Sequence, residues 1–236
     1  MNGRSISVLK GITREQLLGN YSKLSSYVVL YMLVRFTLMT LIQQIKMYSL
    51  VIELLSGLLF SVLMGIFTVG FIRVCILVIH DKQVTVKDFF YVINHDPDKV
   101  VIIAAIDWFF SELPYIPLIM SDRLGDSAGV TPGKLALISY LLFAVFFIIY
   151  FIAYIMLSQC YYLYLDMPES GALEIVNTSI AVMQKNKLRY LYLTFNILGM
   201  LVLGVLTMGI GMIWIMPYTH VLMINFYEDL RLLEKR

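Results

Sequence analysis

The chain has 236 residues, 60% of them hydrophobic and 14% charged, with a formal net charge of +2. Soluble domains run roughly 45–50% apolar and about 25% charged, so this balance excludes an ordinary soluble domain and points to the bilayer as solvent. The small net charge makes no case for nucleic acid, and the two cysteines, Cys75 and Cys160, lie in apolar runs and make neither a disulfide framework nor a metal pair.

The first 25 residues hold no apolar core of signal-peptide type, so the first span is expected to insert as an uncleaved anchor. Val8, Leu9, Ile12 and Gln16 give that region a weak helical face. Six segments are long and apolar enough to be spans: 26–45, 50–79, 100–120, 135–165, 188–207 and 211–228. The second and fourth exceed the hydrocarbon thickness and should tilt or continue into water. Between the first two pairs, Thr85 and Asp88 form a capping-box start, and Val86, Phe89, Phe90 and Ile93 fall on one helical face. Pro114 and Pro117 should kink or end the third span, and Pro217 should kink the sixth. In 171–184, Leu173, Val176, Ile180 and Met183 repeat the amphipathic pattern. Gly209 and Gly211 mark the break between the last two spans.

The fold expected is all-α: a polytopic membrane protein of six transmembrane helices in three hairpins, each preceded by a short amphipathic interfacial helix. It forms a single transmembrane domain over 1–236, divisible into possible repeat units 1–80, 81–166 and 167–236. Lysine and arginine placement sets the orientation. With both termini cytoplasmic, thirteen basic residues fall inside, among them Lys23, Lys82, Lys99, Lys185 and Lys187. Three fall outside, Lys46, Arg123 and Lys134, while Arg35 and Arg73 sit within spans. A multi-pass protein of a bacterial cell membrane is the expectation.

Several motifs carry a resemblance. The run Arg14-Glu15-Gln16-Leu17-Leu18-Gly19-Asn20-Tyr21 opens it, and Ser179, Met183 and Lys187 continue it. Its close is Thr207-Met208-Gly209-Ile210-Gly211, then Trp214, Pro217-Tyr218, Phe226-Tyr227 and Leu230. Together they resemble an uncharacterised bacterial integral membrane family, domain of unknown function 975. Asn196 and Met200 depart from the pattern, standing where the family has Ser and Trp. The resemblance implies a six-span membrane protein and no particular activity.

Charged side chains within spans cost about 2.5–3.5 kcal/mol on insertion scales and are functional suspects. Counted from the cytoplasmic edge, Arg73 and Asp107 lie about 10 and 12 Å deep, and Arg35 and Glu112 about 17 and 20 Å. These depths predict two intramembrane ion pairs, Arg73 with Asp107 and Arg35 with Glu112. They serve either to hold the spans together or to line a polar pathway. Glu53, near the outer edge, is a possible polar site. Gly57, Ser61 and Gly65 form a small-residue stripe for helix packing, within the monomer or across a dimer.

His80, His95 and His220 are scattered, and no HExxH, P-loop, GxGxxG or GxSxG occurs. Neither a metal, a cofactor nor a catalytic residue is expected. With loops too short for a catalytic domain, the protein is expected to be non-enzymatic. The first reading is an accessory or structural component of a membrane transport or envelope system. The alternative is a small self-sufficient transporter or lipid-handling protein. Expected partners are the lipid bilayer and a membrane protein or a second copy of the chain.

Overall fold

Ser5 starts the first helix by accepting a hydrogen bond from the Val8 N–H at 3.4 Å, which satisfies one of the free amides at a helix start. In the computed structural model, residues 3–45, 49–124 and 132–234 are described. Among them there is no strand, and the chain runs as α1 (Ile6–Leu17), α2 (Tyr21–Ile45), α3 (Leu50–Ile79) and α4 (Val86–Phe89). After a 3-10 turn at Tyr91–Asn94 come α5 (Pro97–Glu112), a second 3-10 turn at Leu113–Tyr115 and α6 (Ile116–Leu124). The remainder is α7 (Pro132–Leu157), α8 (Cys160–Asp166), α9 (Ala172–Leu206) and α10 (Met212–Glu234). Lys46, Lys235 and Arg236, used in the charge count, lie outside the described residues.

Among the described residues, five helical stretches are long and apolar enough to cross a membrane: Tyr21–Gln44, Val51–Ile79, Pro97–Ser121, Leu135–Asp166 and Ala172–Leu206. The sequence predicts six. The sixth, 211–228, lies in α10, whose C-terminal half carries Glu228, Asp229, Arg231 and Glu234 and is too polar to qualify. The helix is nevertheless among the most buried. Val221, Leu222, Ile224 and Phe226 are fully enclosed, with α1, α2, α3 and α9 packed around them.

The breaks follow local chemistry. Pro114 sits in the 3-10 turn after α5, and Pro117 lies in the first turn of α6; proline removes an amide and clashes with the preceding turn. Between α9 and α10 the chain turns through Met208 and Gly209, at φ 54° and 86°. That left-handed backbone suits glycine and strains methionine.

The interfacial helices differ from expectation in three ways. In α1 the buried residues are Ile6, Leu9, Thr13 and Leu17; of the expected face Leu9 is buried and Ile12 and Gln16 are half-buried, while Val8 is exposed. The inward face packs on α10, where Asn225 Nδ2 donates to Thr13 Oγ1 at 3.0 Å and to Gln16 Oε1 at 2.7 Å. In 85–95, α4 lasts one turn and a 3-10 turn follows, so Phe89 and Val92 are buried while Val86 and Ile93 are exposed. The tighter 3-10 winding shifts the apolar period from four residues to three. Third, 171–184 is no separate helix. It continues without interruption into the next span as the 35-residue α9, roughly 52 Å long at 1.5 Å per residue.

The register of α3 against α5 is fixed by small residues. Ser61 Oγ donates to the Ala104 carbonyl at 3.1 Å. A Cβ on Gly57 would meet Trp108, and one on Gly65 would meet Ala104 and Val100. As numbers rise along α3 they fall along α5, so the two helices run antiparallel in close contact. Further along, a Cβ on Gly70 would collide with the Phe89 carbonyl oxygen, so only glycine lets α4 lie flat on α3.

Candidate functional site

The α2, α3 and α5 helices enclose a cavity of about 480 Å³. Arg35 comes from α2, Asp107 and Glu112 from α5, and Gly57, Ser61 and Gly65 form the α3 wall. The stripe of small residues thus packs α3 closely on α5 along this wall. Tyr31, Phe60, Trp108 and Tyr161 supply aromatic walls. Thr68 Oγ1 donates to the Met64 carbonyl at 2.7 Å and lies 3.2 Å from Tyr31 Oη. Its single proton is thereby spent, so the Tyr31 hydroxyl is the donor to Thr68.

Of the two ion pairs predicted from depth, neither forms. Arg73 Nε lies 3.4 Å from Asp88 Oδ1, and its guanidinium stacks over the Tyr91 ring at 3.7 Å. Depth fixes a residue's height in a span but not the side of the helix it leaves from. Five residues separate Arg73 from Thr68, which does line the cavity with Asp107. Five residues turn an α-helix about 140° past a full circle. Arg73 therefore leaves α3 on another side and reaches the helix end, where its charge finds α4. Arg35 and Glu112 do share the cavity, but among the described residues no ion pair within 4 Å joins Arg35, Asp107 or Glu112 to each other or to anything else. Glu53 stands apart, half-buried in the first turn of α3 beside the capping Ser49, where a carboxylate suits the helix dipole.

Asp107 belongs to a second cavity as well. This one, of about 270 Å³, shares Thr68, Asp107 and Tyr161 with the first and is walled further by Ser158, Tyr190 and His220. A third, of about 190 Å³, shares Tyr162 with the second and reaches Arg73, Asp166, Glu228 and Arg231. Asp107, Thr68 and Tyr161 thus line both the first and the second cavity, and Tyr162 both the second and the third. Trp108 Nε1 is buried without a hydrogen-bond partner. It and Glu112 Oε1 come within 3.0 and 3.5 Å of where a Cβ on Gly57 would stand.

Around Asp229 lies an ionic cluster that sequence reading missed. The Arg4 N–H donates to Asp229 Oδ2 at 3.1 Å, and Arg189 pairs with the same carboxylate. Arg231 pairs with Asp166, which also accepts from Tyr227 Oη at 2.7 Å. Asn196, one of the two departures from the family pattern, accepts from Lys10 Nζ at 2.7 Å. The C-terminal motif divides between two tasks. Gly209 and Gly211 make the turn, and Trp214 is exposed. Pro217, Tyr218, Phe226 and Tyr227 are buried in the core. Nothing in local sequence flags Tyr31, Trp108 or Tyr161 as cavity residues; the only signal is their helical phase relative to Arg35 and Asp107.

Among the described residues the fold is all-helical, and its five apolar helices and interior ionisable groups are compatible with a multi-pass membrane protein. The comparison with protein families agrees. The chain belongs to the family described as protein of unknown function DUF975, matched over residues 1–234, as its end motifs had implied. No curated protein and no solved structure matches it.

Proposed function

We propose that this protein is a small self-sufficient membrane carrier, taking a charged or strongly polar solute into the cavity between α2, α3 and α5. One observation carries the reading. Arg35, Asp107 and Glu112 line a single cavity without pairing, and Asp107 opens onto a second cavity. Asp107 and Glu112 are half-buried and Arg35 is exposed; partly buried carboxylates left without a cation are costly, and a structural role would bring them into contact with one. In this reading α10 is the sixth membrane-crossing helix, shielded from lipid by its neighbours. The basic residues around α1, 82–99, 185–189 and 231–236 then mark the cytoplasmic side of a bacterial cell membrane. The role is one of binding and passage, not catalysis.

Water access tests it. Cys75 and Cys160 are buried and can be replaced by alanine to give a silent background. Ser61→Cys then reports on the first cavity and Ser158→Cys on the second. In oriented membrane vesicles, a charged, membrane-impermeant methanethiosulfonate reagent is expected to label Ser61→Cys from one face and Ser158→Cys from the other. If neither labels while the exposed Asn94→Cys does, the cavities are dry packing defects and the carrier reading fails.

The accessory role in a transport or envelope system has its own support. Only 6% of the hydrophobic window in the Leu135–Asp166 stretch is buried, which leaves α7 free to meet a partner's helix or lipid. Purification from native membranes in mild detergent distinguishes the two. A stoichiometric protein partner favours the accessory role, and elution alone or with lipid favours the carrier.

A further inference from the structure

Resting on the carrier reading, we infer that the cavity's ligand is a zwitterion, bearing an ammonium group for Asp107 and Glu112 and an anionic group for Arg35. The charges on the wall dictate this. Two carboxylates stand on α5 and one guanidinium stands opposite on α2, with no ion pair within 4 Å between them. A simple cation would leave Arg35 unpaired, and a simple anion would leave both carboxylates unpaired. A ligand with both charges satisfies all three groups at once.

The uncharged walls fit the same ligand. Tyr31, Phe60, Trp108 and Tyr161 present aromatic surfaces, which attract an ammonium by the ring quadrupole. The Trp108 indole N–H is buried without a partner on the side of Gly57 and Glu112. Gly57 and Gly65 let Trp108 and Tyr161 lie close against the α3 backbone, which fixes these two wall residues in place. A free amino acid and a phosphoethanolamine lipid headgroup share this chemistry. A volume of about 480 Å³ holds either one, with the acyl chains of a lipid left outside.

The protein contains two tryptophans, Trp108 and Trp214, so Trp214→Phe leaves Trp108 as the sole indole reporter. That variant, purified whole in an uncharged detergent, is titrated with γ-aminobutyrate as the free zwitterion. Dihexanoyl phosphatidylethanolamine serves as the lipid-borne one. Butylammonium, butyrate and dihexanoyl phosphatidylglycerol are the single-charge controls. A saturable change in Trp108 emission is expected for one zwitterion, at about a tenfold lower concentration than for any control. Arg35→Gln and Asp107→Asn are each expected to weaken it about tenfold or more, as loss of one charge-assisted contact does. Arg35→Lys should retain most of it, which separates lost charge from lost fold. Response to γ-aminobutyrate assigns a free solute, and response to the phosphatidylethanolamine a lipid. If butylammonium binds as well and is indifferent to Arg35→Gln, the ligand is a cation: this inference falls and the carrier survives. If no probe gives a saturable change, the zwitterion assignment is overturned. The cysteine labelling then decides the carrier reading separately.

Discussion

Gly70 shows how much one missing atom can hold in place. A Cβ there would run into the backbone carbonyl of Phe89, which cannot rotate away as a side chain would. Gly70→Ala should therefore push α4 off α3 and lower stability by about 1–3 kcal/mol. Gly11 is the contrast. It lies inside α1 with nothing within 4 Å of its would-be Cβ, so Gly11→Ala should stabilise by about 0.5–1 kcal/mol. Thermal unfolding of both variants in detergent, followed by circular dichroism, checks the two signs. On the one-turn α4 that Gly70 seats lies Asp88. Burial raises its carboxyl pKa, but hydrogen bonds from the Thr85 N–H and hydroxyl and the charge of Arg73 outweigh that and hold it below the ordinary 3.8. A lowered pKa means stability present above the ordinary value and lost as pH falls through the folded one. Asp88→Asn should cost stability at neutral pH and flatten the acid limb below about pH 4, as pH-dependent melting will show. The charges themselves were legible in the sequence, since any ionisable residue in a long apolar run stands out. Their partners were not. Arg73 and Asp107 match in depth yet leave their helices on different sides, and only packing sets that angle.

At the scale of whole helices, the sequence announces its breaks through residues that cannot continue a helix. Gly19 after α1, Pro97 at the start of α5 and Pro114 after it, and Gly209 before α10 all fall at real boundaries. The merging of the 171–184 segment with the following span was equally written in the chain, in the absence of any such residue. From Ala172 to Leu198 there is no glycine and no proline. The change from amphipathic to uniformly apolar alters which face is buried but gives the backbone no reason to stop. Helix continuity through this seam makes a sharp prediction. Asn186 lies near the seam, and its side chain donates to the Val182 carbonyl one turn back at 2.9 Å. Asn186→Pro would remove a backbone hydrogen bond and clash with the preceding turn, at a cost of about 3 kcal/mol or more. A loop there would accept proline with little change. Melting temperature, alongside Asn186→Ala, tells the two apart. The cavity walls were only partly legible for a related reason. The Gly57, Ser61 and Gly65 stripe marks a close helix contact, yet it says nothing of which helix fills the facing position.

For the molecule as a whole, a long helix too polar to qualify as a span is among the most deeply buried. Hydropathy measures fitness for lipid, and α10 meets protein instead. Its polar groups are answered by other parts of the chain: Asn225 by Thr13 and Gln16, Asp229 by Arg4 and Arg189, and Arg231 by Asp166. The first residues of the chain are thereby tied to nearly the last, with α1 and α9 clamped onto α10. Asp229 is the centre of that clamp, its side chain only 5% exposed. Removing it would strand the Arg189 guanidinium in a poorly hydrated place and release the Arg4 amide. Breaking such a pair from one side costs about 3–5 kcal/mol when buried, so Asp229→Ala should unfold far more readily than the native chain. Glu228, its neighbour, is the internal control. It pairs with His80 at 3.8 Å with both side chains nearly half exposed, and exposed pairs contribute about 0–1 kcal/mol. In a urea titration of both variants, Glu228→Ala should be close to neutral. Limited proteolysis adds the spatial part: cleavage within the first few residues should rise in Asp229→Ala and stay unchanged in Glu228→Ala. Equal sensitivity of the two variants would mean that α10 is held by apolar packing alone and that the Asp229 cluster is incidental to the fold.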